Sequence, residues 1–389
     1  MSPAGASAIA RVALSGGLRL VHARHGRAHA AIAVCVGSGS RADAPDREGT
    51  AHLVEHCTYL TEEGGDGEAR SHSGTLSSLG AMYGAATLPD TTEFHCAMPA
   101  EQVRAVILDE GARLATAPDH EASIDRERSV IRHELAGRGM GKVVDDLWVR
   151  HLRRHDPVSH WHDGYGSAES IERVSRDDVR SFHRAHYRRD NIVVAVESDA
   201  PTDDVAEWVD HAFSSLPGSA EPSIGASSPE GTAVVLDVSG DGAGAIASAS
   251  VRLDGTNLAR YAAAIVSTVA LQDRGIVSSV GRHGIISTRD PDLALLIATG
   301  RDPVAARDRL AARVEDAADQ GESQWKALQT RAWITHRLAA DNPQTRVRSA
   351  ARAELLRGDG TAHDALLEAL RTVPVAELRA FVREIGEAL

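Results

Sequence analysis

The chain has 389 residues, 42% hydrophobic but only 4% aromatic, and a formal charge of −13 at pH 7. That length exceeds one ordinary core and points to two domains, or three, with interiors built from Ala, Val, Leu and Ile. The acidic balance argues against nucleic acid as a partner, since phosphate binding needs a basic face. No run of 18 apolar residues offers a membrane span.

The opening "MSPAGASAIARVALSGG" lacks a charged start followed by an apolar block, so no secretory signal is expected. Cys35, Cys57 and Cys96 have no CxxC spacing and read as buried thiols in a reducing compartment, which makes the expected location cytoplasmic. His22, His25 and His29 alternate along a strand and turn and read as surface residues. Ala30–Ser40 reads as a strand ending in a Gly-rich turn, and Gly49–Leu60, "GTAHLVEHCTYL", as a helix. "SSLGAMYGAATLPDTTEFHCAMPAEQVRAVIL" reads as strand, turn, strand and amphipathic helix. "SIDRERSVIRHELAGR" is helical. "HDPVSHWHDGYG" carries His155, His160 and His162 and is expected as a solvated loop rather than a second metal site. "SRDDVRSFHRAHY" begins with Ser175 and has Asp178 three residues on, a capping-box pattern. Asn191–Ser198 reads as a buried strand.

Pro217–Gly231, rich in Pro, Gly and Ser, has the composition of a linker. It divides the chain into residues 1–216 and 232–389. The two sides echo each other: Ala245–Gly255, then "RYAAAIVSTVALQ", then "SSVGRHGIISTRDPDLALLIATGRDPVAARDRL" repeat the order of strand, helix, strand pair and helix. A duplicated α+β unit is the economical reading.

One stretch carries chemistry. His52 and His56 are four residues apart and share a helix face, with Glu55 flanking it. Neutral imidazoles suit zinc, and a catalytic zinc takes three protein ligands plus water. Zinc lowers the pKa of that water to about 7, and a neighbouring carboxylate can take its proton. The pattern is H-x-x-E-H, the inversion of H-E-x-x-H. In a chain with 19 histidines the pattern alone can be coincidence, so a third ligand is needed. Glu127 and Glu134 lie seven apart, two turns of one helix, and Glu134 follows His56 by 78 residues. Out of context both Glu read as solvated charges.

Together these features resemble the pitrilysin/insulinase family of inverted-motif zinc peptidases, which pairs H-x-x-E-H with a later helix bearing two Glu seven apart. "VGSGSRADAPDREGTAHLVEH", "LGAMYGAATLPDTTEFHCAMP" and "GYGSAESIERVSRDDVRSFHRAHYRRDNIVVAVES" extend the resemblance over most of the first half. It implies one Zn2+ per chain, with His52, His56 and Glu134 as ligands. It also implies Glu55 as general base and Glu127 as a catalytic carboxylate that orients a ligand and tunes the metal. The implied fold is α+β: two homologous halves, each a mostly antiparallel sheet with helices packed on one face. Where the first half has "HLVEH" the second has "YAAAI" (Tyr261–Ile265), with no possible ligand.

Two departures stand out. Gly84, Ala85, Ala86 and Thr87 occupy the family's substrate-pairing strand, which commonly reads Asn-Ala-Phe-Thr. Val269 and Ile276 occupy the places of an Arg and a Tyr that single-chain members carry for the oxyanion. The expected function is therefore a zinc metalloendopeptidase subunit that cuts peptides or unfolded precursor segments bound as an added strand. A homologous partner chain in a heterodimer would supply the Arg/Tyr pair. The alternatives are a non-catalytic assembly subunit and a zinc hydrolase acting on something other than peptides.

Overall fold

A computed structural model describes residues 9–62, 69–219, 234–240 and 244–389. From 220 onward the expected linker lies outside them.

The first half runs β1 (Ile9–Ala13), β2 (Arg19–Arg24), β3 (His29–Val36), α1 (Thr50–Thr58), a short pair β4 (Leu60–Glu62) and β5 (Ala69–Ser71), and α2 (His72–Ser78). There follow β6 (Met82–Thr87), β7 (Thr92–Pro99), α3 (Val103–Ala115), α4 (Glu121–Gly137) and α5 (Met140–His155). α6 (Ala168–Arg173), α7 (Arg176–His186), β8 (Ile192–Ser198) and α8 (Thr202–Ala212) complete it. The second half runs β9 (Val234–Ser239), β10 (Ala245–Leu253), α9 (Leu258–Gln272), β11 (Val277–Val280), β12 (Asp292–Gly300) and α10 (Pro303–Ala318). It closes with α11 (Glu322–Ala340), α12 (Pro343–Arg357), α13 (Ala362–Thr372) and α14 (Val375–Ala388). The succession β3, α1, β6, β7, α3 recurs as β10, α9, β11, β12, α10, as the duplicated sequence pattern requires. Ser175 caps α7 as expected: its Oγ accepts from the Asp178 N–H at 3.1 Å, and Asp178 Oδ2 accepts from the Ser175 N–H at 2.8 Å.

The first sheet has the order β1-β2-β8-β3-β7-β6 and the second β11-β12-β10-β9. Among the described strands only β2 and β8 pair in parallel. Both sheets match the expected antiparallel α+β class. Alternate residues of a strand face opposite sides, and in β3 both sides are buried. Ala30, Ile32, Val34 and Val36 join the core shared with the helices of the first half. Ala31, Ala33 and Cys35 pack on Val347, Ala351 and Leu355 of α12. The near-continuous apolar wording of β3 and β8 is the mark of strands covered on both faces.

The helix on that second face comes from the far end of the sequence. The chain divides into two compact units. Of the described residues, one takes those within Met1–Gly139, His162–Gly225 and Asp341–Thr361, the other those within Met140–Trp161, Ala226–Ala340 and Ala362–Leu389. An end-to-end division at 216/232 is thus modified: α12 covers the first sheet, while Leu147, Trp148 and Leu152 of α5 pack on Leu293, Leu295 and Ile297 of the second. Helices on one face describe only part of each unit. The reason is burial: a sheet with apolar residues on both sides needs two covers, and each takes one from the other half of the sequence. Ion pairs secure α12. Glu93 of β7, 1% exposed, accepts from Arg348 Nε at 3.0 Å and from Arg352 Nη2 at 2.9 Å. Among the described residues no helix is long and apolar enough to cross a membrane.

Candidate metal centre

The helix α1 is held at its entry by Asp43, whose Oδ2 accepts from the Gly49 N–H at 2.7 Å and Oδ1 from the Ala51 N–H at 2.8 Å. Those N–H groups would otherwise be unsatisfied at a helix start. Gly49 has φ 96°, and a Cβ there would stand 2.6 Å from the Tyr165 carbonyl oxygen. Leu53, Val54 and Cys57 turn into the core, which leaves His52 and His56 on the opposite face. Cys57, tempting as a ligand, is buried as expected, and burial pushes its thiol up to about 12.

Helix α4 brings the carboxylates to that face. The Nε2 atoms of His52 and His56 lie 3.1 Å apart. Glu134 Oε2 is 3.7 Å from His52 Nε2, and its Oε1 is 3.8 Å from His56 Nε2. A tetrahedral site with metal–ligand bonds of 2.0–2.1 Å has ligand–ligand edges of about 3.3 Å. Two imidazole nitrogens and a carboxylate at these separations fit zinc in distance and in donor chemistry. Glu134 is 42% exposed while the histidines are 12% and 16% exposed. One side of the cluster therefore reaches solvent, unlike a closed structural site. Two turns back on α4, Glu127 Oε2 accepts from His56 Nδ1 at 3.1 Å. That bond fixes the tautomer that points Nε2 at the cluster. Burial, reinforced by His56 and Arg138, pushes the His52 imidazole down to about 3, so it is neutral at pH 7. Burial acts likewise on His56, but the Glu127 hydrogen bond and the Glu55 and Glu134 charges outweigh it and leave that ring above its ordinary value.

Glu55 lies beside the pair and is 7% exposed. Its Oε2 accepts from Thr87 Oγ1 at 2.6 Å. Burial raises the carboxyl above its ordinary range, with the Thr87 bond and His56 pulling the other way. Thr87 ends β6, the last strand of its sheet, paired to β7 alone through Gly84↔His95, Ala85↔Phe94, Ala86↔Glu93 and Thr87↔Thr92. Gly84, Ala85, Ala86 and Thr87 thus sit on an edge next to the cluster. At Gly84 a Cβ would stand 2.9 Å from His95 Cε1, which accounts for a glycine in place of a larger residue.

Other sequence readings need correction. His22 is no surface residue: it is fully buried, with Nδ1 2.9 Å from Thr202 Oγ1 and Nε2 3.1 Å from Ser198 Oγ. His25, His29 and Glu197 form a second group with metal-ligand spacing. There Arg346 bonds both carboxylate oxygens and Arg27 Nη1 lies 3.6 Å away, so two positive charges stand where a cation would bind. His155 closes α5, and the loop after it is packed at Trp161 and His162 although Val158 is 87% exposed. Trp161 is 1% exposed, His155 Nε2 meets Ser250 Oγ at 2.9 Å, and His162 Nε2 donates to the Ser40 carbonyl at 2.6 Å. Sequence reasoning missed Asp43, Tyr165 and the Thr87–Glu55 bond. An Asp six residues ahead of Gly49 is a weak capping signal, and nothing in the sequence announces the other two.

A two-half α+β fold with an inverted His-Glu-His helix and a distant carboxylate defines a class of metallopeptidase-like proteins. The family model described as Insulinase (Peptidase family M16) matches residues 20–155, and that described as Peptidase M16 inactive domain matches 173–274. The chain belongs to the M16 insulinase family of peptidases. The mitochondrial-processing peptidase subunit beta of Lentinula edodes is 26% identical over 199 residues, 50% of this chain and 41% of that protein. An uncharacterized zinc protease of Mycobacterium tuberculosis is 27% identical over 223 residues, 55% of this chain and 48% of that protein. The chain thus spans less than half the length of these curated relatives. In fold, a protease from Helicobacter pylori superposes with a TM-score of 0.77 at 16% identity, over 97% of this chain and 96% of that one. A putative M16-like peptidase from Alicyclobacillus acidocaldarius gives 0.72 at 14% identity, over 99% and 96%.

Proposed function

We propose that this chain is the metal-bearing subunit of a zinc metalloendopeptidase that cuts peptides or unfolded precursor segments held as an added strand along β6. The observation that carries this reading is the meeting of His52, His56 and Glu134 ligand atoms within 4.8 Å of one another, with Glu55 alongside. Those three side chains would hold zinc, which when bound would supply Lewis acidity and lower the pKa of water there to about 7. Glu127 keeps His56 Nε2 turned to the cluster. Glu55, with Oε2 held by Thr87, takes the water's proton at Oε1, and its raised pKa moves it towards the working range of a general base. The unpaired edge of Gly84–Thr87 offers backbone N–H and C=O groups to an extended peptide.

Val269 lies in α9 and Ile276, 2% exposed, just after it. Aliphatic side chains there supply no oxyanion donor, so we place the Arg/Tyr pair on a homologous partner chain in a heterodimer. The relative named as a subunit of a processing peptidase supports this arrangement. The three free buried thiols fit a cytoplasmic setting. The alternative is a non-catalytic assembly subunit, in keeping with the family model described as inactive over 173–274.

The test is an assay of the zinc-loaded chain on unfolded peptides, alone and with a homologous chain carrying the Arg/Tyr pair. The partner is expected to raise kcat more than it lowers KM, because oxyanion contacts form in the transition state. Full turnover by the pure chain, unchanged by the partner, would remove the partner from the mechanism. No hydrolysis by the zinc-loaded pair would favour the assembly subunit.

A further inference from the structure

A metal-binding histidine is normally held in orientation by a carboxylate or carbonyl on its other ring nitrogen. His56 has such a partner in Glu127. His52 does not: its Nδ1 is buried and has no hydrogen-bond partner among the described residues. Something else has to hold that ring.

The Tyr165 ring meets His52 edge to face, with centroids 5.0 Å apart and planes at 79°, the geometry in which aromatic quadrupoles attract. The Arg138 guanidinium lies over the Tyr165 ring, 4.2 Å from its centroid. Arg138 also ion-pairs with Asp163. Asp163 Oδ1 in turn accepts from the N–H groups of Tyr165 and Gly166, each at 3.0 Å. Gly166 has φ 75°, and a Cβ there would stand 2.1 Å from the Glu48 carbonyl oxygen. In the other direction, a Cβ on Gly49 would stand 2.6 Å from the Tyr165 carbonyl oxygen. Glu48 and Gly49 immediately precede α1, so the loop is pinned against the start of the helix that carries His52.

We infer that Tyr165, clamped by Arg138 and Asp163, is the positioning residue for His52: its ring takes the place of the missing hydrogen bond. The inference rests on the reading of His52 as a zinc ligand. It makes the ring, not the hydroxyl, the operative part. Tyr165→Phe keeps the ring and Tyr165→Ala removes it.

The test measures zinc affinity of the full chain by chelator competition, together with the visible absorption of the cobalt-substituted protein. Tyr165→Ala is expected to bind zinc about 10-fold more weakly or worse and to change the cobalt spectrum, while Tyr165→Phe stays within about twofold of the unaltered chain. Unchanged affinity and spectrum in Tyr165→Ala, or equal loss in both variants, would overturn the inference. A measurement on the unaltered zinc-loaded protein guards against a variant that fails to fold. In histidine-labelled NMR spectra His56, and not His52, should show a slowly exchanging, strongly hydrogen-bonded Nδ1 proton, and the same signature from His52 would overturn the inference. A chain that binds no zinc at all would reject the ligand reading itself, which these outcomes keep distinct.

Discussion

Thr87 donates its hydroxyl to Glu55 Oε2 at 2.6 Å, tying the edge strand β6 to the carboxylate beside the two histidines. A hydrogen bond to a charged group contributes about 1.5–3 kcal/mol. Thr87→Val, which keeps the shape, should therefore lower kcat about 10- to 100-fold with little change in KM. Because the bond stabilises the ionised form, its loss raises the Glu55 pKa. The acid limb of the kcat/KM profile should then move to higher pH, and Thr87→Ser should restore it. An unmoved profile in Thr87→Val would show that the bond does not set the state of Glu55.

Glu55→Gln keeps the side-chain shape and removes proton acceptance. Peptide hydrolysis should fall by roughly 10²–10⁴-fold, with zinc content and thermal stability unchanged. Parental turnover by the zinc-loaded variant would assign the base elsewhere.

Elemental analysis of the purified chain should find about one zinc per molecule, removable by chelation, and a His52→Ala, His56→Ala double variant should hold none. Glu127→Gln should retain zinc with an affinity reduced by about 10- to 100-fold, since only the orientation of His56 is lost. Full zinc in the double variant would rule out the cluster as its site.

Glu93, enclosed between Arg348 and Arg352 of α12, is one of the buried charges that anchor the exchanged helix. Burial by itself would raise its pKa, but the two guanidinium groups prevail and hold it below the usual carboxylate value. Glu93→Gln leaves both cations without their counter-charge and should cost about 3–5 kcal/mol, seen as a lower unfolding midpoint. The sign with pH follows from the depressed folded-state pKa. The stabilisation is complete above the unfolded value of about 4.3 and is lost as pH falls through the lower folded value. The variant should lack this acid-sensitive component, and identical acid unfolding of the two proteins would discount the pair.

The sequence by itself determined whatever depends on spacing along one element. His52, Glu55 and His56 share a face because a helix turns every 3.6 residues, and Glu127 and Glu134 share one because seven residues make two turns. The repeated order of strand, helix, strand pair and helix was legible for the same reason, as were the cap at Ser175 and the buried strand β8. The meeting of α1 with α4 lay beyond any local period, and only the likeness to a family suggested it from sequence. Tertiary structure alone decided which sheet each amphipathic helix covers. Nothing in the wording of α5 or α12 says that its apolar face belongs to the other half of the sequence, because periodicity reveals that a face is buried and not against what. It also decided that His22 is buried, that Thr87 rather than a neighbour holds Glu55, and that a tyrosine 113 residues beyond His52 lies against its ring. Such contacts join residues distant in sequence, and short-range chemistry leaves no trace of them until the chain is packed.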